Sequence, residues 1–155
     1  PNLFYFPQFP KVPESVFYHH PYTLISLISG CDEVFQLGLC SRCKSRLKQD
    51  NLRVKDLFVD HVSKVAQYVR TQYHVQPIIW DDMLRTMTSR ELQESALGHF
   101  VEPMVWVYVE DIDHFIDGST WASYSANFEY IWAASAFKGA FGERLFMPNI
   151  LRHYR

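Results

Sequence analysis

The amino-acid sequence predicts an α/β fold with parallel strands. Four short apolar runs occur along the chain, and the stretches between them are long enough to hold helices. Polar and acidic residues gather directly after these runs. A strand returns parallel to its neighbour only through a connection of about a dozen or more residues, so this spacing favours strands joined by helices. The runs are 23–30, 76–80, 103–108 and 132–137.

The N-terminal part of the chain is predicted to be irregular over 1–22. This segment holds five of the eight prolines and shows no apolar period. The first strand, 23–30 (TLISLISG), is apolar, partly β-branched and closed by a glycine. Asp32 and Glu33 therefore lie at the start of the loop that follows a buried strand.

The clearest helix is predicted over 54–73, where apolar residues recur at steps of three and four. The second strand, QPIIW, comes next and passes directly into Asp81 and Asp82. Thr88 and Glu91 have the spacing of a capping box, which predicts a short helix in 88–95. The expected buried face of the long helix holds Leu57, Phe58, His61, Val62, Val65, Tyr68 and Val69.

The third strand, PMVWVY, leads to the acids Glu110, Asp111 and Asp113, and a weaker helix is predicted over 121–128. The fourth, WAASAF, is closed by the glycine-bearing loop KGAFG. Acids and tryptophans just after strands are typical of (β/α) barrels, which place their chemistry at the carboxyl ends of the strands.

The chain is predicted to form part of a TIM (β/α)8 barrel rather than a whole one. An eight-unit barrel needs about 200–250 residues, whereas this chain supplies about four strand–helix units. We assign 23–155 to that partial barrel. A partial sheet leaves an apolar edge unpaired, which favours self-association. A homodimer is therefore a possible state of the protein.

Composition argues against nucleic-acid and membrane roles. The 155 residues are 48% hydrophobic, enough for one core, and the net charge of -2 with scattered basic residues gives no basic surface. No apolar stretch approaches the roughly 18 residues that cross a bilayer. Three cysteines cannot all pair with one another, which favours a reducing compartment, so we expect the cytoplasm or nucleus.

Three other groups suggest different chemistry, each with a simpler explanation. Cys40 and Cys43 form a CxxC pair that could bind zinc or do redox chemistry, but no second ligand pair stands at zinc spacing. His19 and His20 lie in the irregular segment, where solvated histidines are the common case. Lys138 could bind an anion, yet no phosphate-loop pattern surrounds it. We expect no metal site.

Asp32 and Glu33 are the strongest candidates for catalysis. Adjacent carboxylates at the end of a buried strand are costly unless they are hydrogen-bonded, paired with charge or functional, although a loop aspartate beside a solvated glutamate is the plain alternative. Glycoside hydrolysis needs an acid for the leaving oxygen, and when the sugar's 2-acetamido group is the nucleophile, a second carboxylate only orients that amide. Trp80, Trp106 and Tyr108 could stack on a sugar or belong to the core.

Four motifs stand in the order found in hexosaminidase D-like proteins of glycoside hydrolase family 20. They are GCDEVFQLG (30–38), IIWDDMLR (78–85), VEPMVW (101–106) and WAASAFKGA (132–140). From Gly30 onward the chain therefore resembles the catalytic barrel of that β-N-acetylhexosaminidase family, and each motif falls where the barrel interpretation places function.

The resemblance implies a retaining exo-glycosidase that releases terminal β-linked N-acetylglucosamine or N-acetylgalactosamine from a small glycoside or glycoconjugate. It implies an oxazolinium intermediate and no metal or organic cofactor. Glu33 would be the general acid and later the base, and Asp32 would orient the acetamido group. The implied substrate-binding residues are Trp80, Asp82, Trp106 and, as the amide-binding tyrosine, Tyr108.

The chain departs from the family pattern at three places. The family usually has a histidine where this chain has Ile28, and Val107 stands between Trp106 and Tyr108, where an aspartate is common. The WYxD motif of many members is absent at 135–140. These departures favour, as the alternative, a catalytically inactive carbohydrate-binding fragment of the same barrel.

Overall fold

A computed structural model describes residues 26–109 and 112–134, which include one four-stranded sheet. The strand order is β1-β2-β3-β4, and every neighbouring pair is parallel. The predicted α/β class with about four parallel strands is therefore confirmed, and the arrangement fits part of a TIM barrel. The strands are β1 (Ser26–Ile28), β2 (Gln76–Trp80), β3 (Glu102–Val105) and β4 (Trp132–Ala133).

Helices occupy the connections between these strands. Two of them, α1 and α2, lie between β1 and β2, and α3 lies between β2 and β3. Short 3-10 turns flank α3 at Leu84–Thr86 and Leu97–His99. The helices are α1 (Ser41–Gln49), α2 (Val54–Tyr73), α3 (Ser89–Ser95), α4 (Ile112–Phe115) and α5 (Gly118–Asn127). No helix among the described residues is long and apolar enough to cross a membrane.

The third strand ends at Val105, earlier than the predicted end at 108. The reason is local: the Trp106 N–H donates to a carboxylate oxygen of Asp81 at 3.2 Å instead of continuing the ladder, and Arg85 donates to the Trp106 carbonyl. Trp106 and Tyr108 consequently lie in the loop after β3. The predicted segment 1–22, residues 23–25, Glu110, Asp111 and 135–155 lie outside the described residues.

The long helix α2 has the bounds that the apolar period predicts, but its buried face is narrower. It buries Leu57, Phe58, Val62, Ala66 and Val69. The prediction was wrong for His61 and Tyr68, which are exposed at the flanks of this stripe. Ala66 was missed because its small side chain gives little hydrophobic signal.

Within 26–109 and 112–134, the helices pack on one face of the sheet and do not cover the other. Ile79 and Val105 point into the helix-covered core, whereas Ile28 and Trp132 are 52% and 42% exposed. Because side chains alternate along a strand, the register that pairs Ile28 with Ile78 and Met104 with Trp132 places these four on the opposite face, where Ile78 is nevertheless buried at 4% exposure. In a complete barrel this face is the interior.

Two helix starts show how side chains set the element bounds. The predicted capping box is present at α3: the Thr88 hydroxyl accepts from the Glu91 N–H at 3.3 Å, and the Glu91 carboxylate accepts from the Thr88 N–H at 2.9 Å. Helix α5 begins at Gly118, three residues before the predicted start, because the Asp117 carboxylate accepts from the Thr120 N–H at 3.0 Å.

Candidate active site

The loop after β1 carries the two predicted catalytic acids in an unusual backbone conformation. Gly30, Cys31 and Glu33 all have positive φ, at 76°, 73° and 52°. Outside glycine this region costs about 1–3 kcal/mol per residue and persists only where surrounding contacts hold it. Those contacts come from β2: the Ser29 N–H donates to the Ile78 carbonyl at 2.8 Å, and the Trp80 N–H donates to the Gly30 carbonyl at 3.0 Å.

Asp82 connects this loop to the end of β3. One of its carboxylate oxygens accepts from the Glu33 N–H at 2.8 Å, and the other accepts from the indole Nε1–H of Trp106 at 3.3 Å. Three chain segments that are far apart in sequence therefore meet at one half-buried carboxylate. The contact fixes the backbone of Glu33 relative to the indole of Trp106.

Three aromatic rings lie beside Asp82. The ring centroids of Trp80 and Trp106 are 6.3 Å apart at an interplanar angle of 75°, and those of Trp106 and Tyr108 are 5.1 Å apart. The two tryptophans are half-buried, whereas Tyr108 is 54% exposed. Such an aromatic surface, packed on one side and open on the other, can contact the apolar C–H face of a sugar.

The carboxylates of Asp32 and Glu33 are exposed and, within 26–109 and 112–134, accept no hydrogen bond. The loop holds their backbone in place and leaves their oxygens available. Two carboxyl groups in that state can donate or accept a proton and can orient an amide N–H.

Asp81, the neighbour of Asp82, is fully buried and belongs to a polar network beneath the site. Its carboxylate accepts from Arg85 at 2.5 and 2.6 Å, from the Trp106 N–H at 3.2 Å and from the Tyr124 hydroxyl at 3.1 Å. The Arg85 guanidinium also lies 5.9 Å from the Trp106 ring centroid. This network joins β2, the end of β3 and α5.

The network was not found by sequence reasoning, although one signal was available. Asp81 and Arg85 stand four residues apart, the spacing of an ion pair across one helical turn. Nothing comparable marks Tyr124, whose hydroxyl reaches Asp81 from a helix 43 residues later in the chain.

Charge and burial shift three pKa values near the site. The hydrogen bonds from Arg85 to Asp81 raise the pKa of Arg85, and burial followed by the charge of Asp81 raises that of Tyr124, so both remain proton donors. Burial raises the pKa of the Cys31 thiol to about 11, with further contributions from Asp32 and Asp82. Cys31 is therefore a neutral thiol near pH 7 rather than a nucleophile.

The described residues contain no group of three or more His, Cys, Asp and Glu placed to hold a metal ion. Cys40 and Cys43 lie at the start of α1, and the thiols of Cys31, Cys40 and Cys43 are free. His19, His20 and Lys138 lie outside the part of the chain that the structure describes.

Comparison with known proteins agrees with the four motifs. No protein-family model matches the chain. Hexosaminidase D of Bos taurus and hexosaminidase D of Homo sapiens are each 36% identical to it over 128 residues, which is 81% of this chain. The chain is hexosaminidase D-like. It spans 37% of the length of the bovine relative and 26% of that of the human relative.

The hexosaminidase D-like chain brings most of the predicted site residues to one edge of its sheet. The backbone of Glu33 and the side chains of Asp82 and Trp106 are in direct contact, and Trp80 and Tyr108 join through ring contacts. Asp32 lies in the same loop as Glu33, and its charge contributes to the raised pKa of the Cys31 thiol. Of the departures from the family pattern, Val107 packs against the core and Ile28 is exposed on the uncovered face.

Proposed function

We propose that this chain supplies the catalytic acids and part of the sugar-binding surface of a retaining exo-glycosidase. Its substrate would be a small glycoside or glycoconjugate with a terminal β-linked N-acetylhexosamine, either the gluco or the galacto sugar. The observation that carries the proposal is the double contact of Asp82, which accepts from both the Glu33 backbone and the Trp106 indole. It fixes the backbone of Glu33 relative to the indole of Trp106, and the side chain of Glu33 is exposed.

In the proposed reaction the substrate provides its own nucleophile. The carbonyl oxygen of the 2-acetamido group attacks the anomeric carbon while Glu33 donates a proton to the departing glycosidic oxygen. The Asp32 carboxylate accepts a hydrogen bond from the acetamido N–H and offsets the positive charge that develops on the oxazolinium ring. Water then attacks the same carbon and breaks its bond to the acetamido oxygen, which returns to the amide carbonyl, while Glu33 takes a proton from that water. The β configuration is retained.

The aromatic residues would bind the sugar, and Asp82 would serve as a positioning residue. Trp80 and Trp106 offer ring faces to the sugar, and the exposed hydroxyl of Tyr108 can bond to a polar group of the substrate. Each oxygen of Asp82 keeps a second lone pair beyond the bonds it already accepts, so a sugar hydroxyl can share this carboxylate.

The test compares leaving groups. The 155-residue chain and the longest polypeptide encoded by its gene are assayed on 4-nitrophenyl N-acetyl-β-D-glucosaminide and its galacto epimer. The same proteins are also assayed on the 2,4-dinitrophenyl and methyl glycosides. Glu33→Gln should lower kcat about 10²–10⁴-fold on the methyl glycoside and far less on the dinitrophenyl one, whose leaving group needs no proton. Asp32→Asn should lower both, because the amide is oriented in every case.

Glu94→Gln serves as the matched control, since Glu94 is an exposed glutamate paired with Arg90 on α3. Equal loss on all leaving groups in Glu33→Gln would contradict the general-acid role, and unchanged rates in both acid variants would contradict the proposed site.

The uncovered sheet face favours one alternative: a carbohydrate-binding fragment without activity. Ile28 and Trp132 are exposed on the face that a complete barrel would enclose. Saturable binding of N-acetylglucosamine by every folded version of the protein, with no release of nitrophenol over days, would support that alternative. Loss of this binding in Trp106→Ala would place the sugar at the same surface.

A further inference from the structure

The CxxC pair forms a specific arrangement at the first turn of α1. Cys40 is the N-cap residue, with extended backbone angles of φ -72° and ψ 159°. Its sulfur accepts from the backbone N–H of Cys43 at 3.3 Å. Cys40 is exposed, Cys43 is half-buried on the first helical turn, and both thiols are free.

The surroundings of Cys40 favour its thiolate form. The hydrogen bond from the Cys43 N–H is the largest effect that lowers the pKa of the Cys40 thiol, and the nearby charge of Arg42 lowers it further. Helix α1 has no acidic residue in its first turn and carries basic residues along its length. Cys31, whose thiol pKa rises to about 11, is the opposite case in the same protein.

A simple capping role does not account for the residue. Sulfur is a weak acceptor, and the side chains that cap helices well are Ser, Thr, Asp and Asn. Zinc binding is also unsupported, because no third potential ligand lies near the pair among the described residues.

We propose that Cys40 and Cys43 are a reactive dithiol that small-molecule disulfides oxidise to an intramolecular disulfide. In the first step the Cys40 thiolate attacks one sulfur of the small disulfide, forms a mixed disulfide and releases one small thiolate. In the second, the deprotonated sulfur of Cys43 attacks Cys40 Sγ and releases the other small thiolate. The small disulfide gains two electrons, and the two cysteines lose them together with two protons.

The helix geometry makes this bond both reachable and easily reduced. Residues three apart on a helix have Cβ atoms about 5–6 Å apart, whereas a disulfide needs about 3.5–4.5 Å. Closure from such a spacing therefore draws the two Cβ atoms together by about 0.5–2.5 Å. The extended backbone of Cys40, just outside the helix, can absorb this change. A bond formed under such strain is readily reversed by a thiol.

The first experiment uses the reduced 155-residue chain with oxidised glutathione at pH 7, followed by mass spectrometry of the intact protein and its peptides. The wild type should lose two hydrogen atoms, with Cys40 and Cys43 in one cross-linked peptide. Cys43→Ser should stop at a glutathione adduct on Cys40. Cys40→Ser keeps a capping oxygen and should give no adduct on Cys43 over the same time.

A second measurement keeps the proposal testable if one variant folds poorly. Alkylation of the wild type by limiting iodoacetamide at pH 7 should label Cys40 at least about tenfold faster than Cys31, because the hydrogen bond from Cys43 lowers the pKa of the Cys40 thiol and burial raises that of the Cys31 thiol to about 11. Cys31→Ser should leave the oxidation unchanged. A wild type that retains a stable glutathione adduct on Cys40, or that reacts first at Cys31, would overturn the proposal.

Discussion

Replacement of Asp81 by asparagine should destabilise the protein more than any change at an exposed ion pair. The asparagine side chain has nearly the same shape, so the substitution creates no cavity. It has one acceptor oxygen in place of two and presents an NH2 group to Arg85, whose side chain is only 25% exposed. The guanidinium, the Trp106 N–H and the Tyr124 hydroxyl then compete for a single acceptor.

The expected cost follows from these four hydrogen bonds. Breaking a buried ion pair by removing one charge costs about 3–5 kcal/mol, because the remaining charge stays buried without compensation. Small domains have unfolding free energies of about 5–15 kcal/mol, so the loss is a large share of the total. With a urea m-value of about 2 kcal/mol/M, the unfolding midpoint should fall by about 1.5–2.5 M.

Urea unfolding followed by far-UV circular dichroism measures this change at pH 7. Tyr124→Phe removes one donor to Asp81 and should cost about 1 kcal/mol, while Glu94→Gln at the surface should cost less than about 0.5 kcal/mol. A loss in Asp81→Asn no larger than that in Tyr124→Phe would refute the argument that this network joins β2, β3 and α5.

Two further predictions test packing and charge. A Cβ at Gly98 would lie 1.9 Å from the Asn127 carbonyl oxygen, so Gly98→Ala should cost about 1–3 kcal/mol in urea unfolding, whereas Gly118→Ala meets nothing within 4 Å and should be neutral or stabilising. For Asp60, burial alone would raise the pKa, but hydrogen bonds from Lys64 and from α1 lower it below its ordinary value. Its contribution is present above the unfolded pKa of about 4 and is lost as pH falls through the lower folded value. The stability gap between wild type and Asp60→Asn should therefore close below about pH 4; a gap independent of pH would contradict this.

The sheet and its long helix were predictable because their signals are local. The QPIIW run has the same first and last residues as β2, and the apolar period over 54–73 gives the bounds of α2. Helix α1 was missed for a physical reason: it buries no residue, so it has no apolar stripe for a periodicity to find. Its cap is a cysteine, which is not among the usual N-cap residues.

The candidate site was predictable as a set of residues but not as a set of contacts. Motif order and position after each strand pointed to Glu33, Asp82 and Trp106. Asp82 accepts hydrogen bonds from the backbone of Glu33 and from the side chain of Trp106. Both contacts depend on the register between β1, β2 and β3. Register comes from long-range pairing, which a single sequence does not reveal.

The adjacent acids Asp81 and Asp82, just after β2, show what the three-dimensional structure adds to the sequence. Both follow the last residue of β2, where the chain leaves the strand for a turn, so strand alternation does not decide where their side chains point. Asp81 turns inward, where Arg85 and Tyr124 satisfy it, and Asp82 turns toward Glu33 and Trp106. The sequence presents two equal carboxylates, and only the partners contributed by α5 and by the loop after β1 decide which one supports the fold and which one borders the site.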